Sequence, residues 1–294
     1  MEKAFQYKNV IKTFPEFKLG PLNLDLEPGT MLGFVGPNGS GKTTTMQCLV
    51  GLLRADSGEM EVFGNPSNLN KPAWKLDIGY VGDIQVFYER WTGQKNLDFL
   101  SQFYPNWSNE RVHELAKRFN LPLHKRAKDL STGNRVKLSL VAALAHSPRL
   151  LLLDEPTSGI DPVVRIEVLD VLFEILESGE RAIFYATHIL PEISRLADEL
   201  AFIDNGNIWL RTPKEDLTEK WRKITFLLAR NDIEPKSTVS HQREGHQHQI
   251  ISTDCEFTLE HLRELGAENI QENHMTIEEI AVQILKGGTN VATT

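Results

Sequence analysis

The stretch Gly36-Pro37-Asn38-Gly39-Ser40-Gly41-Lys42-Thr43 decides the fold. It fits the pattern G-x-x-x-x-G-K-S/T, a phosphate-binding loop when a strand precedes it and a helix follows it. Met31–Val35 reads as a short buried strand, and Lys42–Leu53 carries apolar residues at helical spacing. The sequence therefore contains the strand, the loop and the helix that the pattern requires.

The residue types in this loop suit a polyphosphate. Glycines let the backbone curl so that successive N–H groups point inward, and the following helix directs its positive end to the same place. Lys42 adds an ammonium group for the terminal phosphates, and the Thr43 hydroxyl is a ligand for Mg²⁺. The nucleotide-binding residues predicted in this segment are Gly36, Pro37, Asn38, Gly39, Ser40, Gly41, Lys42, Thr43 and Thr44.

A second chemical signal lies at Leu150–Leu153, four leucines that predict a buried strand, followed by Asp154 and Glu155. Ligands of parallel sheets bind at the carboxyl ends of the strands, where Asp154 emerges. We expect Asp154 to hold Mg²⁺ and Glu155 to orient and deprotonate the attacking water. An acidic pair after an apolar run is often only a solvated strand end, but the loop upstream favours the functional interpretation.

Short apolar segments alternate with helical ones along the rest of the chain. Residues 77–82 and 182–187 read as further strands, and 163–176 as a helix. Such alternation indicates a parallel sheet covered on both faces. Asp204-Asn205-Gly206 separates two short apolar runs and predicts a hairpin. The predicted fold class is α/β.

Composition excludes several classes of protein. The chain has 294 residues, of which 40% are hydrophobic and 24% charged, an ordinary globular mixture. Two cysteines exclude a disulfide scaffold and favour a reducing compartment. A net charge of −8 disfavours nucleic acid as a partner. No apolar run approaches the ~20 residues of a membrane span, and the N-terminus lacks the apolar core of a secretory signal.

Four further segments of the chain carry motifs that resemble those of one protein family. Leu130-Ser131-Thr132-Gly133-Asn134 resembles the signature sequence, usually Leu-Ser-Gly-Gly-Gln, of the nucleotide-binding subunits of ABC transporters. Ser158–Asp161 resembles the D-loop of that family, His188 matches its switch histidine, and Phe14 matches the aromatic residue that stacks on adenine. The similarity covers about residues 4–215.

The resemblance implies a P-loop NTPase with a RecA-like parallel sheet core, an antiparallel β subdomain and a helical subdomain at about 84–147. After Trp221 the predicted strands are weaker and polar residues are more frequent. We therefore assign residues 1–220 to the ATPase domain and 221–294 to a small α+β accessory domain. The resemblance also implies that two subunits pack head to tail around ATP, which Ser131 and Gly133 would contact from the opposite copy. The D-loop resemblance adds Asp161 to the expected nucleotide-binding residues. The expected catalytic residues are then Lys42, Glu155 and His188.

Two departures from the family pattern concern the metal and the signature. Gly82-Asp83 stands where the family has Pro-Gln. A carboxylate ligates Mg²⁺ or its waters but cannot donate as an amide does, so the expected metal ligands are Thr43, Asp83 and Asp154. Thr132 and Asn134 replace a small residue and a glutamine. We expect intact ATP binding and slow turnover in the isolated subunit.

The resemblance also implies partners. We expect a homodimer or a heterodimer with another ABC ATPase, held by a polytopic permease at the cytoplasmic face of the membrane. Residues 103–137 and the short accessory domain look most like bacterial exporters. Two alternatives remain open, an importer ATPase and a soluble regulatory nucleotide switch.

Two other segments invite interpretation. Residues 87–107 are rich in aromatic side chains, which predicts either the core of the helical subdomain or a groove for a membrane subunit. His241, His246 and His248 fit no standard zinc spacing, which favours a solvated loop over a metal site. Thr276 and Glu279 form a capping-box pattern. The tail from residue 287 is predicted to be disordered.

Overall fold

A computed structural model describes residues 2–67, 72–177, 179, 181–229 and 236–286, so the predicted disordered tail lies outside the described residues. The strands are β1 (Phe5–Thr13), β2 (Lys18–Leu26), β3 (Met31–Val35), β4 (Ser57–Val62), β5 (Asn65–Pro66), β6 (Ile78–Val81), β7 (Leu150–Asp154), β8 (Ala182–Thr187), β9 (Glu199–Asp204), β10 (Asn207–Pro213), β11 (Arg222–Leu227), β12 (Thr238–Glu244), β13 (Gln247–Ser252) and β14 (Glu268–His274). The helices are α1 (Lys42–Leu49), α2 (Gly93–Leu100), α3 (Asn109–Arg118), α4 (Thr132–Leu144), α5 (Pro162–Glu177), α6 (Leu190–Leu196), α7 (Lys214–Lys220), α8 (Cys255–Glu264) and α9 (Ile277–Lys286).

The central sheet has the strand order β10-β9-β3-β8-β7-β6 and is parallel except for β10. Strands β3, β7 and β8 are buried along their whole length because helices or a second sheet cover both faces. Leu151 and Leu153 of β7 belong to one apolar core, and Leu150 and Leu152 to the other. The expected parallel sheet is confirmed.

Smaller units surround this sheet. β1, β2, β4 and β5 form an antiparallel sheet, and α2 to α4 form a helical region within the predicted range of 84–147. Each of these three helices begins at a hydroxyl side chain that accepts a backbone N–H, namely Thr92, Ser108 and Ser131. Helix α1 ends at Leu49, so the expectation that it runs to Leu53 is wrong.

The C-terminal unit has a sheet of order β12-β13-β11-β14 and a small core that includes Ile224, Phe226 and Leu262. The solvated loop expected around the histidines is wrong, because those residues form the hairpin β12–β13. Every residue of β12 is at least partly exposed, and only β13 contributes buried side chains, so polar residues dominate the sequence of the hairpin. The division of the chain at residue 220 stays a prediction.

Helix α9 joins this unit to the rest of the chain. Its side chains Ile277, Ile280, Ala281 and Ile284 are buried in the same core as residues of α6, α7 and β9. The helix begins as predicted, since the Thr276 hydroxyl accepts from the Glu279 N–H and the Glu279 carboxylate from the Thr276 N–H. Among the described residues, no helix has the length and apolar character needed to span a membrane.

We expect Ile280→Ala to lower the free energy of unfolding of the chain by about 2–5 kcal/mol, because it opens a cavity in a fully buried position. Val282→Ala, in the same helix but with 42% of the side chain exposed, is the matched control and should change it by under about 1 kcal/mol. Urea unfolding followed by circular dichroism measures both. Equal effects of the two variants would contradict the packing of α9 on the main core.

Candidate functional site

The predicted phosphate-binding loop joins β3 to α1 and is supported from behind by the β9–β10 hairpin. Gly39 and Gly41 have φ of +81° and +113°, left-handed values that favour glycine. The Gly206 N–H, in the hairpin turn, donates to the Ser40 carbonyl at 2.9 Å. A Cβ at Gly36 would lie 2.2 Å from the Ile203 carbonyl oxygen. The turn predicted at residues 204–206 therefore fixes the loop.

Lys42 is buried, and its ammonium group lies inside the curve of the loop. Nζ donates to the carbonyls of Gly36 at 2.7 Å and Pro37 at 3.1 Å. It also lies 3.2 Å from Oε1 of Glu155. The sequence separation of this pair is large, but β3 and β7 end at the same edge of the sheet, on either side of β8. Two of the predicted catalytic residues are thus in contact.

Asp154 is fully buried at the end of β7, and its Oδ1 accepts from the Thr43 hydroxyl at 3.2 Å. The pKa of Asp154 is raised to about 6, mainly by burial and also by the negative charges of Glu155 and Asp83, while Thr43 and Lys42 oppose the shift. Its Oδ2 is buried and, within the described part of the chain, has no hydrogen-bond partner. An unpaired carboxylate oxygen beside a threonine hydroxyl fits a small hard cation such as Mg²⁺.

Glu155 bridges Lys42 and His188. Its Oε2 lies 2.8 Å from His188 Nδ1 and 3.4 Å from the His188 backbone nitrogen. Glu155 itself has a φ of +51°, a left-handed value that is uncommon for a residue other than glycine. Such a conformation persists only where the surroundings enforce it, and it occurs often at functional sites. The geometry therefore aligns a cation, a carboxylate and an imidazole at one sheet edge.

Asp83 lies two residues after the end of β6 and is exposed. Its charge reaches the site, because it contributes to the raised pKa values of Asp154 and Tyr80. The nearby amide of Gln85 donates to the carbonyls of Gly82 and Asp83. The Gln85 amide group therefore forms its hydrogen bonds with the backbone of its own loop.

Phe14 lies in the β1–β2 turn, partly exposed, with its ring centroid 6.2 Å from that of Phe17. Phe17 is the ring nearer to the phosphate-binding loop, since a Cβ at Gly41 would lie 3.0 Å from its Cζ. Sequence reasoning missed Phe17. The only local signal was its place in the same polar turn as Phe14.

Ser131, Gly133 and Asp161 occupy the starts of two helices. The Ser131 hydroxyl accepts from the Asn134 N–H at 3.3 Å, and Asp161 Oδ1 accepts from the first turn of α5. Gly133 lies against α5, where an added Cβ would come within 3.1 Å of Val164. The described contacts of these three residues are with α4 and α5 and not with the loop at Lys42.

Two of the three histidines in the hairpin β12–β13, His241 and His248, form a pair of stacked rings. His241 Nε2 lies 2.9 Å from His248 Nδ1, and the buried ring of His248 also stacks on Phe226. Burial lowers the pKa of His248. In the part of the chain described here, no three histidine, cysteine or acidic side chains are grouped so that they could hold a metal.

Comparison with known proteins gives a family match. The family profile described as ABC transporter matches residues 19–158. The chain is 31% identical over 256 residues to an uncharacterized ABC transporter ATP-binding protein of Bacillus subtilis, covering 86% of this chain and 80% of the relative. It is 30% identical over 283 residues to the bacitracin transport ATP-binding protein BcrA of Bacillus licheniformis, covering 91% and 92%.

Solved structures show the same fold. An ATP-binding subunit of an ABC transporter superposes with a TM-score of 0.66 at 24% identity, covering 73% of this chain and 91% of that one. A dimeric ATP-binding cassette in a post-hydrolysis state, bound to ADP and Pi, superposes with a TM-score of 0.65 at 22% identity, covering 71% and 98%. The predicted P-loop NTPase fold is confirmed.

The raised pKa of Asp154 has a consequence for stability. Protonated Asp154 contributes fully to the free energy of unfolding below pH 4. This contribution is lost as the pH rises through about 6, because the folded chain then carries a buried charge. We expect Asp154→Asn to raise the free energy of unfolding of the nucleotide-free chain at pH 8 by up to about 3 kcal/mol, from 1.36 kcal/mol per pKa unit. The gain should vanish near pH 4. Denaturant unfolding at the two pH values measures it, and a gain independent of pH would contradict the shift.

Proposed function

The chain belongs to the ABC transporter family of ATP-binding proteins, and from that membership we propose that it hydrolyses ATP in a dimer to drive export through separate membrane subunits. The observation that carries the proposal is the contact chain from Lys42 through Glu155 to His188, with the Thr43–Asp154 pair beside it. These residues supply a phosphate-binding cation, a base for water and a group to orient it at a single edge of the sheet.

Each side chain has a defined part in the proposed reaction. Lys42 binds the terminal phosphate oxygens with its ammonium group, together with the inward N–H groups of the loop. Glu155 accepts a proton from the attacking water at Oε2 or Oε1. His188 holds the Glu155 carboxylate through Nδ1 and presents its exposed edge to the γ-phosphate or to the water.

Thr43, Asp154 and Asp83 would hold Mg²⁺, which when bound neutralises charge on the phosphates. The unpaired Oδ2 of Asp154 supports this assignment. Cation binding needs the ionised carboxylate, and the pKa of about 6 keeps Asp154 mostly ionised at neutral pH. Asp83 adds a second negative charge near the site, where an amide would add none.

The proposed dimer uses the helix starts at Ser131 and Asp161. A second copy would place the exposed Ser131 hydroxyl and the N-terminus of α4 against the nucleotide held at Lys42. Thirteen residues of α4 give that helix a developed dipole, which favours a phosphate at its start. ATP would then join the two copies, and loss of the γ-phosphate would release them. The partner copy is either identical or a related ATPase.

The proposed membrane partner would bind the segment after Asp83. Of the two interpretations of this segment, the core applies to Phe87 and Trp107, which pack against the main apolar cluster. The rings of Tyr88, Trp91, Phe99 and Phe103 contact one another while remaining partly or largely exposed, which supports a groove. Ile84 and Val86, 80% and 85% exposed, extend this apolar surface. Such a surface is typical of a protein interface. This exposed apolar surface supports a binding site for a polytopic permease, which would hold the chain at the cytoplasmic face of the membrane.

Export is favoured by the names of two relatives. One is a bacitracin transport ATP-binding protein, and another, 32% identical over 225 residues, is a linearmycin resistance ATP-binding protein of Bacillus subtilis. Import and a soluble nucleotide switch are the other candidates. A switch predicts that the purified chain lacks ATP turnover.

We expect Glu155→Gln to lower ATP turnover by at least about 100-fold while ATP still binds, because it removes the base and leaves the phosphate-binding loop intact. The variant should elute as a dimer with Mg-ATP in size-exclusion chromatography and as a monomer with Mg-ADP. Glu174→Gln, an exposed carboxylate paired with Arg118, is the control and should behave as the wild type. Unchanged turnover in Glu155→Gln would remove that residue from the mechanism.

We expect Asp83→Ala to raise the Mg²⁺ concentration that gives half-maximal turnover by roughly 10-fold, because one proposed ligand of the metal or its waters is lost. A titration with Mg²⁺ at saturating ATP measures the change. Asp98→Ala removes a carboxylate from α2 that accepts from Gln94, and it should leave the midpoint unchanged. The same midpoint in both variants would exclude Asp83 from the metal site.

A further inference from the structure

Glu192 is a buried carboxylate to which the proposed reaction gives no part. It lies in α6, four residues after His188, and is 2% exposed. The Tyr185 hydroxyl donates to its Oε2 at 2.7 Å, and the Thr157 hydroxyl lies 2.6 to 2.7 Å from both oxygens. Arg165 Nε lies 3.1 Å from Oε1 and supplies the opposite charge.

The partners of Glu192 come from three different segments of the site. Thr157 is two residues after Glu155, and Tyr185 is three residues before His188. Arg165 is in the first turn of α5, where its N–H donates to the Asp161 carbonyl. One carboxylate therefore joins the segments that carry Glu155, His188 and Asp161.

Burial makes these contacts obligatory. A buried carboxylate is stable only when it is paired and hydrogen-bonded, and a buried hydroxyl without a partner is also unfavourable. Thr157 and Tyr185 are both fully buried, and their oxygens lie 3.1 Å apart. A Glu192 that moved would leave the Thr157 and Tyr185 hydroxyls with only each other and would separate Arg165 from the opposite charge. The cluster therefore has one favourable arrangement.

That arrangement bears on the reacting groups. Glu155 has a left-handed backbone that its neighbours must enforce, and its contact with His188 at 2.8 Å spans the ends of β7 and β8. The Thr157–Glu192–Tyr185 contacts link the same two chain segments through a second, buried connection. Two connections between two strand ends restrict their relative movement more than one does.

We propose that Glu192 is a positioning residue for ATP hydrolysis, which sets the relative placement of Glu155 and His188 through Thr157 and Tyr185. The proposal rests on the roles given above to Glu155 and His188. It assigns no contact with ATP to Glu192 itself. It therefore separates the effect on kcat from the effect on nucleotide affinity.

The test is Glu192→Gln in the full chain, which keeps the shape but removes the charge and one acceptor oxygen. We expect kcat to fall by roughly 10- to 100-fold, the range for a small misplacement of catalytic groups. The Kd for ATP should stay within about 2-fold, because the loop at Lys42 makes no described contact with Glu192. Glu192→Asp, which retains the charge, should recover part of kcat. Tyr185→Phe removes a single hydroxyl and should lower kcat to a smaller extent, also without a change in Kd.

A stability control separates positioning from general loss of structure. Thr258→Val breaks the buried Ser252–Thr258 hydroxyl pair of the C-terminal unit, remote from Glu155 in the fold. It should lower Tm without lowering kcat. The proposal is overturned if Tyr185→Phe and Glu192→Gln lower Tm but leave kcat at the value of Thr258→Val, or if Kd rises in proportion to the loss of kcat. Should Glu192→Gln fail to fold, Tyr185→Phe alone decides. Full turnover in Glu155→Gln would instead refute the proposed function.

Discussion

The structure depends on placing two consecutive carboxylates, Asp154 and Glu155, away from solvent at the carboxyl end of a buried strand of leucines. Burial and mutual repulsion both oppose ionisation there, and the raised pKa of Asp154 records the cost. The Thr43 hydroxyl and the Lys42 ammonium group, at the start of α1, offset part of that cost. Asp154 Oδ2 and Glu155 Oε1 still lack a hydrogen-bond partner among the described residues, and a cation with a bound polyphosphate would supply partners for such oxygens. The same arrangement therefore lowers the stability of the isolated chain and prepares it for its ligand.

The loop itself could be predicted from sequence because its chemistry is local. Eight consecutive residues carry the glycines, the lysine and the threonine, and the neighbouring strand and helix follow from hydrophobic spacing. Asp154 and Glu155 were predictable for the same reason, since a run of leucines ends directly before them. The family resemblance added His188, which no local pattern distinguishes from any other histidine after a strand.

What the sequence could not predict depends on contacts between distant segments. Glu192 looks like an ordinary helical glutamate, and only the fold brings Thr157, Tyr185 and Arg165 around it. The aromatic composition of the segment after Asp83 suits both a core and a groove, and only the fold shows that Phe87 and Trp107 pack inward while Tyr88 and Phe103 remain exposed. The histidine-rich segment reads as loop because polar residues dominate it, but pairing with β13 makes it a strand. Composition describes what a segment can bury, and only tertiary pairing decides whether it does.

The C-terminal unit is connected to the catalytic edge through packing. Helix α9 covers α6 and β9 with its apolar face. Helix α6 carries Glu192 and follows His188 directly, while β9 leads into the turn whose Gly206 N–H holds the phosphate-binding loop at Ser40. Because cores are closely packed, a displacement of α9 must be accommodated by one or both of these elements. The last helix of the chain thus lies one layer behind the two segments that position Lys42 and His188, although none of its own residues reaches the site in the described contacts.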